Sequence, residues 1–270
     1  MNTLKIVVTG AMGRMGQALI RYICAHDGYE LLGAVERHDH PDLAKDVGLL
    51  LLGRPLEVLL ENDLRNVILG AQAVIDFTLP EAALRHAEWT APRGLPLVIG
   101  TTGVSAEQRA RIEALAEQAP IVLAPNMSIG VNLLFHLARR AAQTLDEEYD
   151  VEIVEPHHRN KVDAPSGTAL RLAEIVARQW DREEPDEFFD HGRHGQVGVR
   201  EYGRIGLHAV RGGDVVGEHD LHFFGQGEAL TLSHRATSRD NFVKGALRAA
   251  RWLQGRDPGL YDMQDVLGLR

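Results

Sequence analysis

Leu4-Lys5-Ile6-Val7-Val8-Thr9-Gly10-Ala11-Met12-Gly13-Arg14-Met15-Gly16 is the stretch whose reading decides the fold. Leu4–Thr9 is a short β-rich run, and Gly13–Ala25 has helical periodicity through Met15, Leu19, Ile20 and Ile23. A strand, a glycine turn and a helix in that order open a parallel sheet with helices on both faces. The glycines read G-x-x-G-x-x-G rather than G-x-G-x-x-G. The mechanics survive the change: a tight turn at Gly10, close backbone approach to a pyrophosphate at Gly13, and helix–strand contact at Gly16. Glu36 lies twenty residues past Gly16, at the end of a second strand, Leu31–Val35. An acidic side chain there takes the adenosine ribose hydroxyls; the plainer reading is a solvated strand end. Arg37 follows, where a guanidinium can stack on adenine or meet a 2′-phosphate, so NADH and NADPH are both expected cofactors.

The same alternation continues through strands at Ala73–Phe77, Pro96–Gly100 and Ile121–Ala124, with a helix over 106–118 capped by Ser105. Gly100-Thr101-Thr102-Gly103 and Ala124-Pro125-Asn126-Met127 each follow a strand on the carboxyl edge, where ligands collect in such sheets. Either alone is a turn. Together they read as the nicotinamide end of a cleft. Pro41–Asn66 stays unassigned, its Leu49–Leu52 run fitting core, helix or insertion.

After Asn126-Met127-Ser128-Ile129-Gly130 the character changes. A long amphipathic helix is expected at about 131–145, a strand at Val151–Glu155 and a helix at Thr168–Trp180. Asp181–Gly198, rich in charge and glycine, reads as a long mobile loop. β-like segments at about Ile205–Arg211, Val216–Phe224 and Ala229–Arg235 predict a mixed or antiparallel sheet. A closing helix is expected at Asn241–Gln254. The crossings between the two parts are expected near Met127–Gly130 and Arg235–Asp240, which suit a hinge.

Between strand and helix lies Glu155-Pro156-His157-His158-Arg159-Asn160-Lys161-Val162-Asp163-Ala164-Pro165-Ser166-Gly167-Thr168. His157, His158 and Lys161 can give up protons near neutral pH. Pro-Ser-Gly-Thr opens a helix, whose free N–H groups and dipole favour a bound anion. Each histidine alone is more simply a polar strand exit, and Ser166 a helix cap. Together they describe a site that binds a carboxylate and protonates it or its neighbour. Of 29 basic side chains only Lys5, Lys45, Lys161 and Lys244 are lysine. An ammonium can be tuned to donate a proton where a guanidinium cannot, so Lys161 draws attention.

Composition excludes several classes. Net charge is −9 with a pI near 5.8, against a general nucleic-acid surface. No apolar run reaches the length of a bilayer span and no secretory segment is visible. Cys24 is the single cysteine, so no internal disulfide forms and a reducing compartment is expected. With one cysteine and no H-x-x-x-H helix spacing, no metal is expected.

These residues resemble a known family, 4-hydroxy-tetrahydrodipicolinate reductase (older name dihydrodipicolinate reductase) of bacterial lysine and diaminopimelate biosynthesis. The likeness spans almost the whole chain. It rests on Gly10–Gly16, Gly100-Thr101-Thr102-Gly103, Ala124-Pro125-Asn126-Met127-Ser128, Arg211-Gly212-Gly213-Asp214-Val215-Val216-Gly217-Glu218-His219 and His234–Arg239, and above all on His157–Ala169. Spacing alone gives only a nicotinamide oxidoreductase acting on an acid, or a non-catalytic dinucleotide-binding regulator, or a related two-domain dehydrogenase of aspartate or homoserine type. The resemblance implies an α/β chain: an N-terminal Rossmann dinucleotide-binding domain, 1–128 and 239–270, with a second α+β substrate-binding and oligomerisation domain, 129–238. It further implies that His157 is the acid/base and Lys161 the proton donor, and that His158, Ser166, Gly167 and Thr168 contact substrate. Gly10, Ala11, Met12, Gly13, Arg14, Met15, Glu36, Arg37, Gly100, Thr101, Thr102, Ala124, Pro125, Asn126 and Met127 would form the cofactor site. The partners implied are a small cyclic dicarboxylate and sister subunits of a cytoplasmic homotetramer, with no nucleic acid and no membrane. Where some members carry a basic residue after Asp76-Phe77-Thr78, this chain has Leu79, against a strong NADPH preference.

Overall fold

A computed structural model of the chain describes residues 3–182 and 184–270. Two compact units result: residues 1–129 with 239–270, and residues 130–238. In the first, the alternating runs become β1 (Leu4–Thr9), α1 (Arg14–Ala25), β2 (Tyr29–Val35), α2 (Val47–Leu52), β3 (Leu60–Glu61), β4 (Ala73–Asp76), α3 (Pro80–Thr90), β5 (Leu97–Ile99), α4 (Ala106–Ala116) and β6 (Pro120–Leu123). The sheet runs β3-β2-β1-β4-β5-β6 plus one further strand at the β6 edge, every pairing parallel. Chain order reverses between β1 and β4. In open sheets of this kind the crevice for ligands lies at the carboxyl ends of those strands.

Both faces are covered, which is why the strands are apolar almost throughout. Along β1, Ile6 and Val8 join one core with Leu19, Ile20, Val243 and Leu247, while Val7 joins another with Val74, Ala83, Leu97 and Ile112. The unassigned Leu49–Leu52 run is helical. Asp46 caps it by accepting the amides of Gly48 and Leu49, and Gly53 ends it in the left-handed region at φ 69°.

The second unit holds α5 (Ile129–Thr144, beginning at the boundary), β7 (Asp150–His157), α6 (Gly167–Gln179), β8 (Phe189–Asp190), β9 (Ile205–Arg211), β10 (Gly217–Phe224) and β11 (Ala229–Ala236). Its sheet is mixed, in the order β11-β10-β7-β9-β8; β9 is parallel to β7 and β8, and β10 is antiparallel to β7 and β11. α5 and α6 supply Leu134, Ala138, Leu172 and Val176 to a core with Val151, Ile153, Leu221 and Phe223. The chain then completes the first unit with α7 (Asp240–Trp252), β12 (Gly259–Tyr261, the edge strand beside β6) and α8 (Met263–Leu267).

The expectation of a loop at 181–198 holds for residues 191–198, which form no helix or strand and are exposed, and is corrected for residues 185–190. Apart from Glu183, which lies outside the described residues, the segment contains a short turn of helix at Pro185–Phe188 and strand β8, with Phe189 buried. Arginines tether it at both ends: Arg193 within the segment and Arg200 just after it pair with Glu152 on β7, and Arg204 pairs with Asp190. Two further differences follow from length. Pro80–Thr90 and the short β12 and α8 were too brief or too weakly patterned to be read. The strand expected to stop at Glu155 continues to His157, which places the imidazole inside the sheet. Among the described residues no helix is long and apolar enough to cross a membrane.

Candidate active site

At the carboxyl edge of the first sheet, the glycine turn takes its shape from close approaches. Gly10 adopts φ 65°, and a Cβ on Gly16 would overlap the Gly10 carbonyl oxygen, so helix α1 lies against the turn with no room for a side chain. Gly13 caps α1 from its exposed side, presenting a helix N-terminus to solvent. Glu36 steadies the turn from β2: its Oε2 accepts the Met12 amide at 3.0 Å and its Oε1 the Arg37 amide at 3.0 Å. A carboxylate has about four lone-pair sites, so capacity remains for ribose hydroxyls. Arg37 is exposed beside Asp39. An open helix N-terminus, an anchored acid and an exposed guanidinium fit a dinucleotide. Met15 and Arg14 begin the helix, Arg14 exposed.

Phe77-Thr78 is wedged between Gly10 and Gly100. A Cβ at Gly10 would meet Thr78 Cγ2 at 3.0 Å, and one at Gly100 would overlap the Phe77 ring. Asp76, fully buried at the end of β4, organises this junction. Its Oδ1 accepts the Thr78 amide (2.8 Å) and hydroxyl (2.7 Å), its Oδ2 lies 2.5 Å from Nδ1 of His86, and Thr101 donates to the Thr78 carbonyl at 3.0 Å. Burial opposes ionisation of Asp76, yet these bonds hold its pKa below the usual value. The expected cofactor residues therefore divide. Gly13, Arg14, Arg37, Thr102 and Pro125 are exposed, and Met12, Met15, Glu36 and Asn126 half-buried. The Ala11, Ala124 and Met127 side chains belong to the core, and the Thr101 hydroxyl is spent between loops. For these four only the backbone is left to offer. Asn126 shapes its turn by accepting the Ser128 amide at 2.9 Å.

In the second unit, two-residue alternation puts Val151, Ile153, Glu155 and His157 on the buried face of β7. Polar groups thus continue the core face where the apolar core ends. Glu155, 0% exposed, is the hub. It accepts from Arg211 with both oxygens at 2.8 Å and from the Ser166 amide at 2.9 Å, and its Oε2 lies 2.5 Å from Nδ1 of His157. Burial opposes its charge, but Arg211, His157 and Ser166 together hold its pKa below the usual carboxylate value. Burial also pushes His157 down, while Glu155 pulls the other way. His219 on β10 stands edge-on to His157 with ring centroids 5.2 Å apart, and burial, then the neighbouring imidazole, drive its pKa to about 3.

Lys161 is held in the 158–165 turn, its ammonium 2.7 and 2.8 Å from the Asp163 carboxylate oxygens. That ion pair lowers the Asp163 pKa. Gly167 and Thr168 occupy the first two positions of α6, whose N–H groups no intrahelical carbonyl serves. A Cβ at Gly167 would meet nothing within 4 Å, so the space at that position is open. Ser166, expected to contact substrate, is instead 3% exposed. Its hydroxyl caps α6 at the Ala169 amide (3.2 Å) and lies 3.1 Å from Nε2 of His219. His158 is half-buried, and its Nδ1 has no hydrogen-bond partner among the described residues.

Sequence reading thus found the titratable pair but gave no role to Glu155, Arg211, Gly217 or His219, which surround it. The signal was present in part: β7 alternation marks Glu155 as inward-facing, and an inward acid requires a cation. Among the described residues no group of three His, Cys, Asp or Glu is placed to hold a metal ion.

Comparison with known proteins bears on the whole chain. Residues 4–127 match the family described as dihydrodipicolinate reductase, N-terminus, and residues 130–267 match its C-terminus. A 4-hydroxy-tetrahydrodipicolinate reductase of Anaeromyxobacter dehalogenans is 51% identical over 98% of both chains. That of Syntrophotalea carbinolica is 49% identical over 99% of this chain and 100% of its own. Among solved structures, the dipicolinate-bound dihydrodipicolinate reductase of Paenisporosarcina sp. TG-14 superposes with a TM-score of 0.77 at 26% identity, covering 97% of this chain and 98% of that one. With both halves matched in order and relatives at this identity along its full length, the chain belongs to the 4-hydroxy-tetrahydrodipicolinate reductase family.

Proposed function

We propose that this chain reduces 4-hydroxy-tetrahydrodipicolinate with NADH or NADPH, with the first unit carrying the dinucleotide and the second the substrate and the proton donors. The net reaction consumes one NAD(P)H and one proton and yields tetrahydrodipicolinate, NAD(P)+ and water, a step of diaminopimelate and lysine synthesis. The observation that carries the assignment is the N-terminus of α6, with open space at Gly167, in the same segment as His157 and Lys161. One substrate carboxylate is taken by the amides of Gly167 and Thr168, aided by the helix dipole. Arg159, exposed in the same turn, adds positive charge to an otherwise acidic chain.

Loss of the hydroxyl as water first brings its ring carbon into conjugation with the imine, and a bound nicotinamide would supply a hydride to that carbon. The neighbouring enamine carbon must then receive a proton. Lys161 holds one at Nζ, and releasing it to substrate breaks the ion pair with Asp163. His157, its pKa lowered by burial and within electrostatic reach of Lys161, serves as acid/base and can return a proton to the site. Gly10 to Met15, Glu36 and Arg37 hold the adenosine end, and the backbone of Gly100–Thr102 and Ala124–Met127 the nicotinamide end. The protein works in the cytoplasm as a homotetramer.

A coupled assay with freshly generated substrate tests this reading. NADH or NADPH absorbance should fall only when substrate is supplied. An aspartate- or homoserine-type dehydrogenase would respond to those amino acids instead, and a dinucleotide-binding regulator would consume nothing.

A further inference from the structure

We propose that Glu155 is a positioning residue for the proton chemistry: it fixes His157 in the tautomer with the proton on Nδ1, leaving Nε2 as the atom that exchanges protons. The inference rests on the assignment of His157 to the acid/base role. Its geometry lies wholly within the second unit. An ionised carboxylate can only accept, so the 2.5 Å contact between Glu155 Oε2 and His157 Nδ1 requires the proton on Nδ1. The hydrogen bond made by one imidazole nitrogen sets the state of the other.

Three features hold the carboxylate to this task. Arg211 binds both of its oxygens, and the Ser166 amide binds Oε1, so it cannot rotate away from the ring. Arg211 is paired with His157 across the parallel β7–β9 register, so the sheet sets the spacing of the cation and the ring it serves. At the other end of the ring, Nε2 has no hydrogen-bond partner among the described residues. Gly217 packs there at φ 155°, and a Cβ on it would come to 2.9 Å of Nε2. Its lack of a side chain keeps that edge of the imidazole uncovered.

The groups facing His157 are Glu155 on its own strand, Lys161 in the following turn, Arg211 on β9 and His219 on β10. Lys161 and Arg211 oppose its protonation, and Glu155 alone favours it. Removing the carboxylate charge must therefore move the His157 ionisation to lower pH.

The test combines nitrogen-15 NMR of the histidine rings with kinetics. In the wild-type protein the His157 shifts should report a protonated Nδ1 and an unprotonated Nε2 near neutral pH. In Glu155→Gln the His157 titration and the matching limb of the pH–rate profile should both move to lower pH. Turnover should fall by no more than the roughly 10²–10⁴-fold that an acid–base group supplies, with the KM for NADH unchanged. A wild-type ring protonated on Nε2, or a titration that stays put or moves upward in the variant, overturns the proposal. The wild-type tautomer decides the matter if Glu155→Gln does not fold. Because the NMR measurement needs no substrate, it stands or falls separately from the assigned reaction.

Discussion

Glu36 lies one residue past the end of β2 and spends one lone pair of each oxygen on the amides of Met12 and Arg37. Its remaining lone pairs are the ones assigned above to ribose hydroxyls. Glu36→Ala should weaken NADH binding by about 1.5–3 kcal/mol, the scale of a hydrogen bond to a charged group. Fluorescence titration would show it, and an unchanged dissociation constant would remove Glu36 from the site. Residue type made Glu36, His157 and Lys161 readable, because few side chains can accept two hydroxyls or release a proton near neutrality. Glu155 was opaque for the opposite reason. A strand position that alternates with Val151 and Ile153 reads as core, and only the fold supplies Arg211, 56 residues on, to neutralise an acid there.

At the scale of elements, β1-turn-α1 was legible because glycine spacing, strand chemistry and helical periodicity agreed. The 181–198 segment was not, since its charge and glycine content resemble those of a disordered loop. What tethers it is a partner far away in sequence. Glu152, on the face of β7 opposite Glu155, receives Arg193, Arg200 and His208 at 2.8, 3.0 and 2.6 Å. Burial opposes its charge, but these partners hold its pKa at about 2, against 4.5 for a free side chain. The folded carboxyl thus stays ionised where the unfolded one takes up a proton. Its contribution to stability is whole above the unfolded value and fades as pH falls through 4.5 toward 2. Denaturation of wild type and Glu152→Gln should therefore differ by a constant amount above about pH 5 and converge as the pH is lowered. A gap that persists unchanged through that window would show that the ion cluster does not stabilise the segment.

For the whole molecule, the two-part organisation was visible where parallel alternation gave way after Gly130. The mixed strand order of the second sheet was not, because register and direction depend on pairings that a single strand does not encode. In the proposed function the two units divide the labour: dinucleotide loops in residues 1–129, proton donors in residues 130–238. That division is the central claim, and Lys161→Ala tests it most directly. Turnover measured with saturating NADH and freshly generated substrate should fall by roughly 10²–10⁴-fold, the scale of a lost general acid, while the NADH dissociation constant stays at its wild-type value. Near-normal turnover, or a loss of activity that follows a loss of NADH affinity, would contradict it.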